Sequence, residues 1–152
     1  MNFAKIAPWL TFLGRLLLGG VLIAAGYLKV GNPAKSKMAV RAYDALPIPV
    51  ANLLGIVLPW LEIGAGLLLA LGVAVRWSAI FAGALMLLFI VAISQAWIRG
   101  LSIDCGCFGG GGQVAPGKTR YLEEILRDLG LALTALYLIR YPLGRFSLEK
   151  GK

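Results

Sequence analysis

Four stretches of the chain are dominated by apolar residues, and the polar residues between them set the expected architecture. The first covers about 9–28 and is interrupted only by Arg15. The second, about 51–75, holds Pro59 and Glu62, and the third, about 77–97, carries no charge and is bracketed by Trp77 and Trp97. Tryptophan favours the headgroup level, and each run is near the ~20 residues that cross a ~30 Å hydrocarbon core. The fourth is weaker. Positions 129–139 are apolar over 11 residues, about 16 Å of helix, which is too short to cross alone. Extended back to 121, the run becomes long enough but takes in Glu123, Glu124, Arg127 and Asp128, which must face protein, water or headgroups. None of the runs alternates with the period of a strand, and only helices or closed barrels satisfy the backbone in lipid. The expectation is an all-α, integral membrane four-helix bundle in one domain, with spans at about 9–28, 51–75, 77–97 and 121–140.

Composition points the same way. The 152 residues are 59% hydrophobic and 14% charged, against roughly 45–50% and about 25% in soluble domains. A soluble fold of this size has too little interior to hide so much apolar surface, so the bilayer is the expected solvent. Disordered, collagen-like, disulfide-rich secreted and coiled-coil classes are excluded by the same figures. A net charge of +8 would fit a nucleic-acid binder, but membrane proteins gather Lys and Arg at span ends and in loops, and no nucleic-acid partner is expected. The first run is kept as a span rather than a cleaved signal peptide, because it is long and contains Arg15.

Four crossings put the termini and the Arg76 turn on one side. The other side receives an interfacial loop at 30–50 and a cysteine loop at 100–118. The first loop holds Pro33, Pro47 and Pro49, with a short interfacial helix expected around 37–46. The terminal side carries six Lys and Arg residues and the loop side seven, so the positive-inside rule leaves the orientation open.

With two cysteines and no histidine, imidazole bases, imidazole metal sites and His-ligated haem are excluded. The sharpest motif is Asp104-Cys105-Gly106-Cys107-Phe108-Gly109. Gly106 permits the backbone angles of a small disulfide ring, and strain in such a ring favours an oxidising, exchange-prone bond. So short a loop removes little unfolded-state entropy, which argues against a staple. Two other readings stand beside exchange: two small buried residues that happen to be thiols, and a Cu(I) site, since tetrahedral zinc would lack two ligands. Arg99, Lys118 and Arg120 favour a thiolate and Asp104 opposes it, so the attacking cysteine is not readable.

Positions 112–119 fit the P-loop pattern letter for letter. The motif works only between a strand and a helix of a nucleotide-binding sheet. Here a glycine tract and a span precede it, so no nucleotide is expected, and Thr119 is read as the cap of the fourth helix. Counted from the loop side, Arg15 and Glu62 lie at depths of ~21 Å and ~16 Å, and they are expected to pair inside the membrane. The pair serves either as a register-fixing ion pair or as the polar element of a small-molecule or quinone pocket. On the fourth helix Glu123 attracts Arg127 and Glu124 repels Asp128 at a spacing of four. This turn is read as the floor of a thiol site or as a solvated first turn.

Arg15, Gly19, Gly26 and Lys29, followed by Pro59-Trp60-Leu61-Glu62, Gly64 and Gly66, resemble the DoxX-like superfamily of small four-helix membrane proteins. The cysteine motif followed by Arg127-Asp128-Leu129 resembles its methylamine-utilisation MauE branch, a likeness over roughly 8–140. The resemblance implies a bacterial inner-membrane protein that assists disulfide formation or maturation of exported proteins with a thioredoxin-like partner. DoxX relatives further imply quinone-linked thiol oxidation. On this reading Cys105 and Cys107 are the exchanging thiols, and Asp104, Gly106, Phe108, Arg127 and Asp128 support them. The cysteine loop then faces the periplasm, where disulfides persist, and the termini face the cytoplasm. A non-catalytic membrane subunit or chaperone, or a Cu(I)-binding protein, is the competing expectation.

Overall fold

The structure is a computed structural model and describes residues 2–104, 112–113, 119–142 and 144. Four long helices run through it: α1 (Phe3–Val30), α3 (Ile48–Leu71), α4 (Val75–Ile98) and α5 (Tyr121–Arg140), with the short α2 (Pro33–Ala42) between α1 and α3. Strands β1 (Ile103–Asp104) and β2 (Gly112–Gln113) form a minimal antiparallel pair. The architecture is otherwise helical. Helices α1, α3 and α4 are long and apolar enough to cross a membrane, while α5 carries charge in its first two turns. Outward-facing leucines such as Leu13, Leu53, Leu87 and Leu133 cover the helices, a surface that water would not tolerate but lipid would.

Small residues set the packing. Helix α1 lies on α3 and α4 on α5. A Cβ added at Gly19 would fall 2.7 Å from the Gly66 carbonyl oxygen, and one at Gly66 would fall 2.7 Å from that of Gly19. Such mutual approach of two backbones is how helices associate where lipid removes the hydrophobic drive. Ala79, Ala82 and Ala135 are fully buried where α4 meets α5. Helix α3 ends at Leu71 rather than near 75 because Gly72, at φ 74°, takes the left-handed cap.

Helix α2 begins earlier than the expected 37–46. Asn32 caps it by accepting from the Lys35 N–H, and Pro33 occupies its first turn. It crosses α3 at Gly55, where a Cβ would sit 2.7 Å from the Lys37 Cα. Pro59 inside α3 has no N–H to give the carbonyl four residues back, which is that of Gly55. The Ser36 hydroxyl donates to that oxygen at 2.7 Å. The proline therefore creates the acceptor that holds α2.

Residues of α1 and α5 meet at the opposite end, where Thr11 Oγ1 donates to the Tyr141 carbonyl at 2.9 Å and the Tyr137 hydroxyl donates to that of Ala7 at 3.2 Å. At the α2 end a second small core joins Ile93 and Ala96 of α4, Ile103 of β1 and Tyr121 of α5.

Candidate functional site

Each long helix buries a stripe with helical period, and charged residues lie on three of these stripes. On α1 it includes Arg15, Leu18, Leu22, Ala25 and Lys29, on α3 it includes Glu62, and on α5 it includes Tyr121, Asp128 and Ala135. Glu62 and Asp128 are each 1% exposed and Arg15 is fully buried. Buried charges are found only where a partner compensates the loss of hydration.

The partners differ from the expected Arg15–Glu62 pair. Lys29 Nζ donates to both carboxylate oxygens of Glu62, at 2.9 and 3.0 Å. Arg15 instead donates from Nε to the Leu69 carbonyl at 2.9 Å and from Nη2 to that of Ala70 at 3.2 Å. These are carbonyls of the last turn of α3, the negative end of its dipole. The reason is register. Gly19 faces Gly66, and Gly26 faces Pro59 and Ile63. Glu62 is therefore level with the Ala25 turn, ~6 Å along the axis from Lys29 and ~15 Å from Arg15. Because α2 packs on the first turns of α3, α3 projects ~13 Å beyond the end of α1, and depths counted from the helix ends do not match.

Arg127 and Asp128 belong to the same polar region. Arg127 Nε and Nη2 donate to Asp128 Oδ1 at 3.0 and 2.9 Å, so Arg127 pairs with its chain neighbour. Asp128 Oδ2 has no hydrogen-bond partner among the described residues. A void of about 10 Å³, about the space of one water, is lined by Glu62, Phe89, Arg127 and Asp128 among others. The charged turn of α5 thus joins the Lys29–Glu62 pair. Asp128 lies seven residues beyond Tyr121, ~10 Å further along the helix, and the thiol loop itself lies outside the described residues.

Cys105, Gly106, Cys107 and Phe108 lie outside the described residues, and Asp104 is described by its backbone in β1. The flanks of the motif are fixed. Ile103 pairs with Gln113 and Asp104 with Gly112, so the chain leaves for the thiols and returns at one place, against α2. The Tyr121 hydroxyl accepts from the Ile103 N–H at 3.2 Å and donates to the Leu101 carbonyl. Arg99 ties the end of α4 to the α2–α3 turn through the Tyr43 and Asp44 carbonyls and Asp44 Oδ2. Helix α5 starts from Arg120 with no side-chain cap bond, so Thr119 is not its cap. The 112–119 stretch opens on β2, two residues paired antiparallel with β1, and among the described residues there is no parallel sheet of the kind a nucleotide loop requires.

Lys29 and Tyr121 are the residues that sequence reasoning passed over as site members. Lys29 lies 14 residues after Arg15, close to four helical turns, which puts both on the buried stripe. Tyr121 lies seven before Asp128 and 14 before Ala135 on the stripe of α5. In both cases the signal was the helical period rather than residue type.

A family model described as methylamine utilisation protein MauE matches residues 7–141. The chain is 39% identical over 131 residues to the methylamine utilization protein MauE of Methylorubrum extorquens, an alignment covering 84% of this chain and 67% of that protein. No solved structure matches the chain.

Proposed function

Because the chain belongs to the MauE family and is a multi-pass membrane protein, we propose that it is a thiol-disulfide relay that assists oxidation or maturation of exported proteins. The name of its relative in Methylorubrum extorquens supplies the setting, methylamine utilisation. In this reading α5 crosses the bilayer with α1, α3 and α4, completing a four-helix bundle in the bacterial inner membrane. The cysteine loop faces the periplasm and the termini face the cytoplasm. The wider kinship to DoxX-like proteins belongs to the same proposal.

A thioredoxin-like partner arrives with two reduced thiols. One partner thiolate attacks a sulfur of the Cys105–Cys107 disulfide, forming a mixed disulfide and releasing the other cysteine as a thiolate. The partner's second thiolate then displaces the chain, so the partner leaves oxidised, and Cys105 and Cys107 have gained two electrons. A lipid-soluble quinone would supply the acceptor for the two electrons and two protons released as Cys105 and Cys107 close their disulfide again.

The observation that carries this reading is the anchorage around the thiols. The β1–β2 pair and the Tyr121 hydroxyl hold both flanks of a glycine-rich segment with two cysteines one residue apart. Two thiols this close on fixed flanks support exchange better than stapling.

Cys105→Ser and Cys107→Ser variants test the reading. One of them is expected to accumulate a mixed disulfide with an exported protein on non-reducing gels, while the parent chain shows an oxidised fraction by thiol gel-shift. Cysteines that stay fully reduced under oxidising growth, with no adduct in either variant, would overturn it. Reaction of Cys107 with a membrane-impermeant maleimide on intact spheroplasts is expected, and reaction only after lysis would reverse the orientation.

A further inference from the structure

A cavity of about 270 Å³ lies between α2, α3 and α4, just under the ~300–1,000 Å³ of small-molecule sites. Leu58, Phe89 and Ala92 form its walls, and Lys29 lines it. Leu54, Leu88 and Val91 also line it, all exposed on the outer faces of helices apolar enough to cross the membrane. Those faces would meet hydrocarbon in a bilayer, so an occupant is expected to reach the cavity from the lipid.

The polar side chains at the cavity are mostly engaged. The Ser36 hydroxyl is used on the Gly55 carbonyl, and Gln95 donates to the Tyr43 carbonyl and accepts from Arg99. Lys29 differs. Its ammonium has three hydrogens, two directed to the Glu62 oxygens; no further hydrogen bond from it is found among the described residues, and Asp128 acts on it electrostatically. The nitrogen stands 5.4 Å from the centroid of the Phe89 ring, which lines the same cavity. One donor is thus available at the floor of an apolar slot.

Charge decides the kind of head that fits. Glu62 already neutralises Lys29, so an anionic head would add an uncompensated charge in a medium of low dielectric, at high cost. A neutral acceptor takes the spare hydrogen without that cost. We propose that this cavity binds a neutral, lipid-soluble molecule with a carbonyl-type head, the oxygen accepting from Lys29, the head against Phe89 and the chain leaving past Leu54 and Val91. The site does not depend on thiol exchange, and it stands or falls separately from it.

The test uses the full chain in phosphatidylcholine nanodiscs and a long-chain alkyl ketone carrying a diazirine beside the carbonyl. The cross-links are expected on the peptides of α2, α3 and α4 that line the cavity and are expected to be competed by an unlabelled long-chain methyl ketone. Ala92→Phe, which fills the slot, is expected to abolish this labelling. The double variant Lys29→Met with Glu62→Leu removes the donor without leaving an unpaired charge. It is expected to weaken competition ~10-fold or more, the loss of one hydrogen bond from a charged group. Circular dichroism and the tryptophan emission of each variant establish that it is folded. Equal labelling of these peptides by a matched fatty-acid or alkane probe overturns the proposal, since neither carries a neutral acceptor head. Labelling spread over all outward leucine faces, or unchanged in both variants while they remain folded, overturns it as well.

Discussion

Lys29→Met and Glu62→Leu, made singly and together, probe the ion pair that joins α1 to α3. The ammonium lies 2.9 and 3.0 Å from the two carboxylate oxygens, and the side chains are 8% and 1% exposed. At an effective dielectric of about 20 the attraction at that separation is ~6 kcal/mol. Removing each ion from water costs several kcal/mol, so the intact pair contributes little net stability. Removal of one member leaves the other buried and uncompensated, and each single variant is expected to lose ~3–5 kcal/mol. Without Glu62, Lys29 keeps the Phe89 ring at 5.4 Å, a contact that offsets only ~1 kcal/mol. The double variant is expected to lie within ~1 kcal/mol of the parent or above it, giving a coupling of several kcal/mol in a double-mutant cycle. Equilibrium unfolding by dodecyl sulfate in mixed micelles, followed by far-ultraviolet circular dichroism and the emission of the four tryptophans, measures all four proteins. Single losses below ~1 kcal/mol, or losses that simply add in the double variant, would refute the reasoning.

The same unfolding assay checks the helix contacts. Gly66→Ala brings a Cβ to 2.7 Å from the Gly19 carbonyl oxygen and is expected to cost ~1–3 kcal/mol as α1 and α3 part. Gly64→Ala, where nothing lies within 4 Å, is expected to gain up to ~1 kcal/mol from helix propensity. Ser36→Ala leaves the Gly55 carbonyl without its 2.7 Å donor and is expected to cost ~1–3 kcal/mol. Adding Pro59→Ala to Ser36→Ala restores a backbone N–H for that oxygen, and the double variant should be more stable than the two losses summed; strict additivity would speak against the shared carbonyl. Tyr121→Phe removes the hydroxyl between Ile103 and Leu101. Hydrogen exchange of the Ile103 amide is expected to accelerate ~5- to 10-fold, the loss of about one hydrogen bond, and an unchanged rate would mean that this anchor does not hold β1.

Much of the fold was legible because it depends on local composition. Leucine-rich runs marked the apolar helices. The charges of α5 made its outer half ambiguous. Its buried face, Tyr121, Asp128 and Ala135 at intervals of seven, was nevertheless written in the sequence. Residue type alone drew attention to Arg15 and Glu62, the two charges deepest in apolar runs, whereas Lys29 looked like an end-of-span cation. The error lay in assuming that neighbouring helices begin level. Helix α2, held to α3 by Ser36 and Gly55, offsets the two, and no count along one helix reveals that offset.

The sequence by itself determined that the chain meets lipid and which segments form the long apolar helices. Transfer energy and helical period are sums over neighbouring residues, and they are complete before any helix meets another. Tertiary structure decided that Glu62 takes Lys29, that Arg15 takes the end of α3, that Asp128 comes to share a void with Glu62, and that a slot opens beside Lys29. Those outcomes depend on register and crossing point, which are set where Gly19 meets Gly66 and where the carbonyl freed by Pro59 receives Ser36. Each joins residues distant in sequence, so the physical reason for them exists only once the helices have packed.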